Sequence, residues 1–195
     1  MAWKNDQVSQ EETKKIIELA KRSLEVKGDF VEMGCYKGDT SLLLAEVLND
    51  FNKDMTKCDL KKRLWIYDSF EGLPEKRLED DSVLGEAFRA GELGVTKRDV
   101  KERFLRAGLP VPVIKKGWFS DLTEKDMPKE IALAFLDGDF YESIKDSLKL
   151  VIPKMNKNGV VIVHDYTNLA LPGVKKAVDE LSRKEKMIIN TFILL

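Results

Sequence analysis

The sequence predicts an α/β fold of the doubly wound, Rossmann-like kind, and two observations carry that prediction. Five short apolar runs end in carboxylates or polar turns, as buried parallel strands do. Between them lie segments whose apolar residues recur at spacings of three and four, which is typical of amphipathic helices. This alternation along the whole length predicts a mostly parallel central sheet with helices on both faces.

The strands are expected where the apolar runs lie. In chain order these runs are Asp29–Glu32, Leu64–Asp68, Val111–Ile114, Ile131–Asp137 and Val160–Asp165, and a last strand is expected from Met187 to Leu195. We treat residues 1–195 as one domain, because a chain of this length buries a continuous core without disulfides or metals to staple it.

The helices are marked by apolar spacing and by end signals. The first two carry the apolar sets Ile16, Leu19, Ala20 and Leu24, then Leu42, Leu43, Ala45, Val47 and Leu48. A third helix is expected between the capping box of Thr96 and Asp99 and a stop at Gly108. Pro172 suits the first turn of a final helix.

One segment, residues 71–95, is rich in charge and glycine and fits neither pattern. Leu84 and Phe88 are spaced to form one apolar face of a short helix. Irregular segments of this length in compact domains tend to be functional lids or disordered. We expect a lid or mobile insertion.

Bulk properties narrow the function classes. With 33 basic and 34 acidic residues the net charge is -1, which gives no field that would attract nucleic acid or an anionic membrane. Two cysteines make no disulfide framework, and no segment has the ~18 apolar residues of a membrane span. We expect a cytoplasmic protein with a small-molecule partner.

In doubly wound sheets ligands bind beyond the carboxyl ends of the strands, so the residues that follow each strand are the site candidates. Glu32, Gly34 and Gly38 follow the first strand, where glycines permit a tight turn and a close approach of ligand to backbone. That turn alone is a weak signal, since it also suits an ordinary strand-to-helix connection. Asp68, at the end of the second strand, could accept both hydroxyls of a ribose. The glycine turn and this acid together indicate that the ligand is a nucleoside.

An aromatic cluster follows the third strand. Trp118 and Phe119, beside Gly117, could flank an adenine ring, although core aromatics at a strand end explain them equally well.

Acids and the single histidine follow the last two of the five strands. Asp137, His164 and Asp165 would meet at one edge and offer oxygen and imidazole ligands to a divalent cation. Taken singly, Asp137 or Asp139 could instead cap the helix that starts near Tyr141, and His164 could be an ordinary strand-end residue.

Together these residues resemble the macrocin-type sugar O-methyltransferases of macrolide and aminocoumarin biosynthesis. The likeness runs from about Phe30 to Leu181, and its carriers are Phe30-Val-Glu-Met-Gly-Cys-Tyr-Lys-Gly38, Tyr67-Asp-Ser-Phe-Glu-Gly-Leu-Pro74, Gly117-Trp-Phe119, Leu136-Asp-Gly-Asp-Phe-Tyr-Glu-Ser143 and Val163-His-Asp-Tyr166. The resemblance implies the class I methyltransferase form of the fold, S-adenosylmethionine as cofactor and a glycosylated or polyhydroxylated small-molecule acceptor. It also allows a homodimer.

The resemblance also implies roles for individual residues. The cofactor would be bound by Glu32, Gly34, Tyr36, Gly38, Thr40, Asp68, Ser69, Gly117, Trp118, Phe119 and Asp137. Family members of this type hold Mg²⁺ through acids that match Asp137, His164 and Asp165, and here histidine replaces the first acid of the last pair. Imidazole binds softer ions better than it binds Mg²⁺. The histidine therefore favours Mn²⁺ or another transition ion at this site, or the loss of the metal.

A mechanism follows as a hypothesis. A sugar hydroxyl is a poor nucleophile until it binds a cation or loses its proton, so the cation would serve the acceptor and a carboxylate would take the proton. Asp137 is the first candidate for that base and Asp139 the second. Without a metal, His164 is a candidate because its ordinary pKa is about 6.5.

Three other functions stay open at this point. A metal-dependent nucleotide-sugar glycosyltransferase would use Asp137 and Asp139 as an Asp-x-Asp motif, but leaves Asp68 unexplained. A nicotinamide oxidoreductase expects its acid about 20 residues after the glycines, and Asp68 lies farther away. A non-catalytic S-adenosylmethionine-binding protein on the same fold is the third.

Overall fold

A computed structural model of the chain describes residues 7–53, 61–184 and 192–194. The helices are α1 (Gln10–Ser23), α2 (Asp39–Lys53), α3 (Lys97–Ala107), α4 (Tyr141–Val151) and α5 (Pro172–Lys184). The strands are β1 (Asp29–Met33), β2 (Leu64–Asp68), β3 (Val113–Lys116), β4 (Ile131–Leu136), β5 (Met155–Val163) and β6 (Phe192–Leu194).

These strands form one sheet in the order β3-β2-β1-β4-β5-β6, and every neighbouring pair is parallel. The order reverses between β1 and β4, which is the switch point at which doubly wound folds open a crevice. Met33 of β1 pairs with Leu136 of β4, so the loops that follow these two strands start side by side. The predicted α/β class is confirmed.

Alternating side chains of the strands bury two cores, one on each face of the sheet. On one face Phe30, Ile66 and Phe135 pack with apolar residues of α1, α2 and α3. On the other, Met33 and Val161 pack with apolar residues of α4 and α5. Strands buried on both faces explain why the predicted runs are almost continuously apolar.

Local signals fix several helix ends as predicted. Thr96 and Asp99 form a reciprocal capping box at the start of α3, and Gly108 ends that helix at a φ of 68°. Pro172 is the first residue of α5. The residues that form these caps lie within a few positions of the helix ends, so the sequence alone predicts where the helices begin and end.

Two strand starts differ from the prediction. β3 begins at Val113 and not at Val111, because Pro110 and Pro112 lack the N–H group that a ladder needs. β5 begins at Met155, ahead of the expected Val160, and it joins the ladder through an irregular register opposite Ile131. Of the expected last strand, Phe192–Leu194 is present, and residues 187–191 lie outside the described residues.

Residues 71–95 form a loop with two short 3-10 turns, Leu78–Asp80 and Val83–Gly85, so the predicted short helix is wrong. Leu84 is exposed whereas Phe88 packs against the core, so the two share no apolar face. The loop closes on itself, because Leu73 N–H donates to the Glu92 carbonyl at 2.8 Å and Gly91 N–H donates to the Leu73 carbonyl at 2.9 Å. The expectation of a lid stays a prediction.

Candidate active site

A cleft of about 670 Å³ opens at the carboxyl edge of the sheet. Residues that follow β1, β2, β3, β4 and β5 all contribute to it, and among them are Gly34, Tyr36, Asp68, Ser69, Gly117, Trp118, Phe119, Asp137, Asp139, His164 and Asp165. The structure therefore brings most of the predicted site residues together. Glu32, Gly38 and Thr40 are the predicted residues that do not line the cleft.

Backbone strain is concentrated at this edge. Tyr36, Phe70, Asp139 and Asp165 have φ angles of 43°, 52°, 60° and 59°, in the left-handed region that disfavours residues with a side chain. Each lies two or three residues beyond the end of a strand. Such strain persists only where the surroundings hold it, and it clusters at functional sites.

The glycine turn after β1 is packed against the loop after β4. Gly34 has a φ of 89°, and a Cβ atom there would lie 2.0 Å from the Asp137 carbonyl oxygen. The close approach that demands glycine is therefore to the backbone of Asp137. Gly38 has a φ of 83° but ordinary surroundings, and its carbonyl accepts the Leu42 N–H at the start of α2.

Asp68 ties the first two strand ends together. One carboxylate oxygen accepts the Cys35 N–H at 2.9 Å and the other accepts the Phe70 N–H at 2.7 Å. A carboxylate has about four acceptor positions, so Asp68, which also lines the cleft, can accept further hydrogen bonds. The acid thus fixes the glycine turn and can still accept hydroxyl groups.

Glu32 lies beneath the turn. It is buried and accepts a short hydrogen bond from the Ser41 hydroxyl of α2. Burial, opposed by that hydrogen bond and aided by nearby acids, raises the pKa of Glu32 from 4.5 to about 8. Thr40 is also buried, in the first turn of α2. These two side chains support the turn from below.

The aromatic cluster forms one wall of the cleft. Trp118 and Phe119 are half-buried and both line it. The Gly117 N–H donates to the Asp68 carbonyl at 3.0 Å, so this wall is attached directly to the end of β2. Ser69, which also lines the cleft, accepts the Glu71 N–H and donates to the Gly72 carbonyl.

On the opposite side, His164 lies between two acids. Its Nδ1 is 3.0 Å from Asp137 Oδ1 and 2.9 Å from Asp165 Oδ2, and its Nε2 is 3.9 Å from Glu12 Oε1. Burial alone would lower the pKa of His164, but hydrogen bonds and charges of Asp137 and Asp165 raise it to about 11. Burial raises the pKa of Asp165, but the hydrogen bond and charge of His164 and the hydrogen bond from Asn168 outweigh burial and lower it.

Asp137, His164 and Asp165 also satisfy the spacing of a cation site. One ligand atom from each lies within 4.8 Å of the others. Two carboxylate oxygens and one imidazole nitrogen suit a divalent ion, and the imidazole favours transition ions over Mg²⁺. The donor set therefore fits the metal that the predicted mechanism requires.

Asp139 lines the cleft beside these residues, and among the described residues its carboxylate has no hydrogen-bond partner. Burial, together with the charges of Asp137 and Asp165, raises the pKa of Asp139 well above its usual range. Neither Asp137 nor Asp139 caps α4, since the N-cap residue is Phe140 and its side chain makes no cap hydrogen bond. The capping explanation for these acids is therefore wrong.

The acid that caps α4 is Asp80, which no pattern in the sequence singles out. Its Oδ1 accepts the Tyr141 N–H at 2.7 Å from a position 61 residues earlier in the chain. A carboxylate within a short 3-10 turn carries no periodic signal, so only the tertiary structure reveals this contact.

Comparison with known proteins shows to which family the chain belongs. Residues 10–193 match the macrocin O-methyltransferase family (TylF). The chain belongs to that family. The match includes every strand-end residue described above, so the family resemblance inferred from the sequence is confirmed.

Two curated relatives of this family member come from Streptomyces. An 8-demethyl-8-(2,3-dimethoxy-alpha-L-rhamnosyl)-tetracenomycin-C 4'-O-methyltransferase of Streptomyces olivaceus is 34% identical over 146 residues, which are 72% of this chain and 54% of the relative. A demethyldecarbamoylnovobiocin O-methyltransferase of Streptomyces niveus is 32% identical over 167 residues, 82% of this chain and 60% of the relative. The chain thus spans a little over half the length of these relatives.

Solved structures agree on the fold. The O-methyltransferase NovP matches with a TM-score of 0.76 and 27% identity, over 92% of this chain and 75% of NovP. The calicheamicin methyltransferase CalS11 matches with a TM-score of 0.72 and 19% identity, over 89% of this chain and 72% of CalS11, and supports the fold alone. None of the helices in the described residues is long and apolar enough to cross a membrane.

Proposed function

We propose that this chain is an S-adenosylmethionine-dependent O-methyltransferase that acts on a sugar hydroxyl of a glycosylated small molecule. The observation that carries the proposal is the contact of Gly34 with the Asp137 carbonyl, which places the glycine turn and the acid cluster in one cleft. The named activities of the two curated relatives, both O-methyltransferases and one of them specific for a rhamnosyl compound, support the acceptor class.

The donor half of the cleft comprises the glycine turn, Asp68 and the aromatic wall. S-adenosylmethionine supplies an electrophilic methyl group on a sulfonium. Asp68, which accepts two backbone N–H groups, would accept ribose hydroxyls as well, and Trp118 and Phe119 would hold the adenine ring between the cleft walls. Tyr36 and Ser69 complete this half. Glu32, Gly38 and Thr40 act through the shape of the turn.

The acceptor half comprises the acids and His164. A divalent cation held by Asp137, His164 and Asp165 would polarise an acceptor hydroxyl and favour loss of its proton. An imidazole nitrogen binds a cation only when it carries no proton, so binding through Nδ1, which lies between the two acids, requires the loss of a proton from His164. We therefore expect the cation to bind more tightly as the pH rises.

The proton acceptor that the geometry favours is Asp139. Asp137 already engages His164 through Oδ1, whereas Asp139 lines the cleft and no hydrogen-bond partner of its carboxylate is present among the described residues. A His164 with its pKa near 11 carries its proton at neutral pH, which removes it as a base. Asp139 thus ranks above Asp137, the first candidate from sequence.

A second candidate function is a non-catalytic S-adenosylmethionine-binding protein. The observation in its favour is the proton-bearing His164 ring between Asp137 and Asp165, which neutralises the acids without any cation. Both functions need the donor half, and they differ only in whether a methyl group is transferred.

Titration calorimetry with S-adenosylmethionine, a UDP-sugar and NAD separates the ligand classes. We expect a heat of binding from S-adenosylmethionine alone. Binding of the UDP-sugar in preference would support a glycosyltransferase and contradict the proposal, as would binding of NAD.

Transfer of a labelled methyl group to a panel of glycosylated acceptors, with Mn²⁺, with Mg²⁺ and with excess chelator, then tests the reaction. We expect transfer with a metal and its loss in chelator. Tight donor binding without transfer under any of these conditions would support the binding protein.

A further inference from the structure

We propose that Asp80 is a positioning residue that fastens the 71–95 loop to the start of α4 and thereby sets the position of the Asp137–Asp139 acids. The inference rests on the proposed methyl transfer for its effect on rate, but not for its structural part. It assigns a role to a buried acid that lines the cleft but has no part in the donor half or the acceptor half as described above.

The first support is the hydrogen bonding of Asp80. Its side chain is almost completely buried, at 2% exposure. Oδ1 accepts the Tyr141 N–H at 2.7 Å, and Oδ2 accepts the Arg77 N–H of its own loop at 3.0 Å. A buried carboxylate with both oxygens bonded to backbone N–H groups joins the loop to the helix at a fixed distance.

The second support is that α4 has no cap of its own. Its N-cap residue, Phe140, has no side-chain oxygen, so the first N–H groups of the helix lack a local acceptor. A carboxylate at this end also interacts favourably with the helix dipole. Asp80 supplies from a distant loop what neighbouring residues usually supply.

The third support is the packing around this bond. Gly173 of α5 lies directly over it, since a Cβ atom at Gly173 would be 1.9 Å from Asp80 Oδ1 and 2.9 Å from the Tyr141 nitrogen. An adjacent ion pair of Glu79 with Lys176, at 3.2 Å, holds the same loop to α5. Three elements therefore converge at Asp80.

The connection from this junction to the acids is short. Only residues 137–140 join the end of β4 to Tyr141, and the Asp137 N–H is fixed at the other end by the Met33 carbonyl at 2.9 Å. Within this stretch Asp139 is held in a left-handed conformation and Phe140 N–H donates to the Gly138 carbonyl at 2.6 Å. A shift of the first turn of α4 must therefore move Asp139.

Asp80→Asn and Asp80→Ala test the proposal against two control variants of the same loop. Asp81→Asn and Glu86→Gln each remove one charge from an exposed residue of the loop. Asparagine at 80 keeps an oxygen for the Tyr141 N–H but loses the acceptor for Arg77, so its effect should be the smaller of the two.

The structural readout is the backbone amide signals of Gly138, Asp139 and Tyr141 by NMR. The kinetic readout is kcat and donor affinity. We expect these signals to move in both Asp80 variants and not in the controls, with kcat lower by about tenfold or more in Asp80→Ala and donor affinity unchanged. Misplacement of the acids without loss of the donor half is the result that only a positioning role gives.

Unchanged amide signals in Asp80→Asn, or wild-type kcat in both folded Asp80 variants, would overturn the proposal. A parallel fall of donor affinity and kcat would also overturn it, because Asp80 would then support the whole fold. If Asp80→Ala does not fold, Asp80→Asn decides. If the wild type transfers no methyl group, the proposed function fails, and the amide signals alone decide the role of Asp80.

Discussion

The two halves of the cleft are built in different ways. On the donor side the glycine turn is held by its own strand and the next, through Asp68 and the Tyr67 carbonyl, which accepts the Gly34 N–H at 2.8 Å. On the acceptor side the contacts come from segments far away in the chain: Asp80 accepts the Tyr141 N–H at the start of α4, and Glu12 of α1 lies 3.9 Å from His164 Nε2.

The donor half is thus held by contacts between the ends of neighbouring strands, whereas the acceptor half also depends on α1 and the 71–95 loop. Changes on the donor side should therefore act mainly on ligand affinity, and changes on the acceptor side mainly on the rate of transfer. The one place where the halves touch, Gly34 against the Asp137 carbonyl, should show both effects.

The largest effect is expected from Gly34→Ala, which would break that contact. A left-handed φ costs about 1–3 kcal/mol for a residue with a side chain, and the added Cβ also collides with the Asp137 carbonyl. We expect the free energy of unfolding in urea to fall by about 3 kcal/mol or more, with loss of both donor binding and transfer.

Gly38→Ala is the matched control, because Gly38 has a similar φ and its Cβ would meet nothing closer than 3.4 Å. Its loss should be smaller. Equal losses in the two variants would show that strain alone matters and that the halves are not joined at Gly34.

Asp137→Asn isolates the acceptor half. Asparagine keeps the volume of the side chain, but it removes the charge that pairs with His164 and would hold a cation. We expect kcat to fall by about a hundredfold or more with donor affinity unchanged, measured by methyl transfer and calorimetry. Asp50→Asn, the same change at an exposed position of α2, should retain the wild-type rate. Wild-type kcat in Asp137→Asn would remove Asp137 from the mechanism.

His164→Asp replaces the imidazole with the kind of acid that the family resemblance predicts at this position. We expect the wild type to prefer Mn²⁺ to Mg²⁺ and the variant to reverse that preference, by about tenfold in apparent metal affinity. Metal titrations of the methyl-transfer rate measure it. An identical preference in both proteins would show that residue 164 is not a ligand.

The smallest effect on activity is expected from Glu32→Gln, which changes the support beneath the turn. The pKa of Glu32 is raised from 4.5 to about 8 in the folded chain, so the native state keeps a proton that the unfolded chain releases. Its stabilising contribution is complete below pH 4.5 and is lost as the pH rises to about 8, with a slope of at most about 1.4 kcal/mol per pH unit.

The variant lacks this titration, so the difference in unfolding free energy between wild type and Glu32→Gln should change between pH 5 and pH 8. A difference that stays constant across this range would contradict the raised pKa. Donor affinity should be nearly unchanged, and a large loss would show that Glu32 touches the donor.

The sequence was sufficient to predict much of this molecule because its signals are local. Apolar runs located five strands, and the polar residue after each run identified Asp68, Asp137 and His164 as neighbours at one edge. The turn that contains Gly34 was predicted for the same reason. The sequence suggested that glycine lets a ligand approach there, whereas the close approach that requires glycine is that of the Asp137 backbone.

What the sequence could not predict depends on contacts between distant segments. Asp80 lies in a charged loop with no periodic pattern, and its hydrogen bond with Tyr141 can be seen only in the tertiary structure. The high pKa of His164 likewise arises from two acids on different strand ends, so its ordinary value was a poor guide to its role as a base. The spacing of Leu84 and Phe88 is helical, which led to the wrong prediction of a short helix. The conformation of this loop depends instead on the hydrogen bonds of Leu73 with Gly91 and Glu92.

Labelled methyl transfer from S-adenosylmethionine to glycosylated acceptors tests the proposed donor site and reaction most directly. The rate is measured for the wild type and for Asp68→Asn across a range of donor concentrations. We expect transfer by the wild type, and in Asp68→Asn a donor KM raised by about tenfold or more with kcat largely recovered at saturation. An unchanged donor KM in Asp68→Asn would contradict the donor site, and no transfer by the wild type to any acceptor would contradict the reaction.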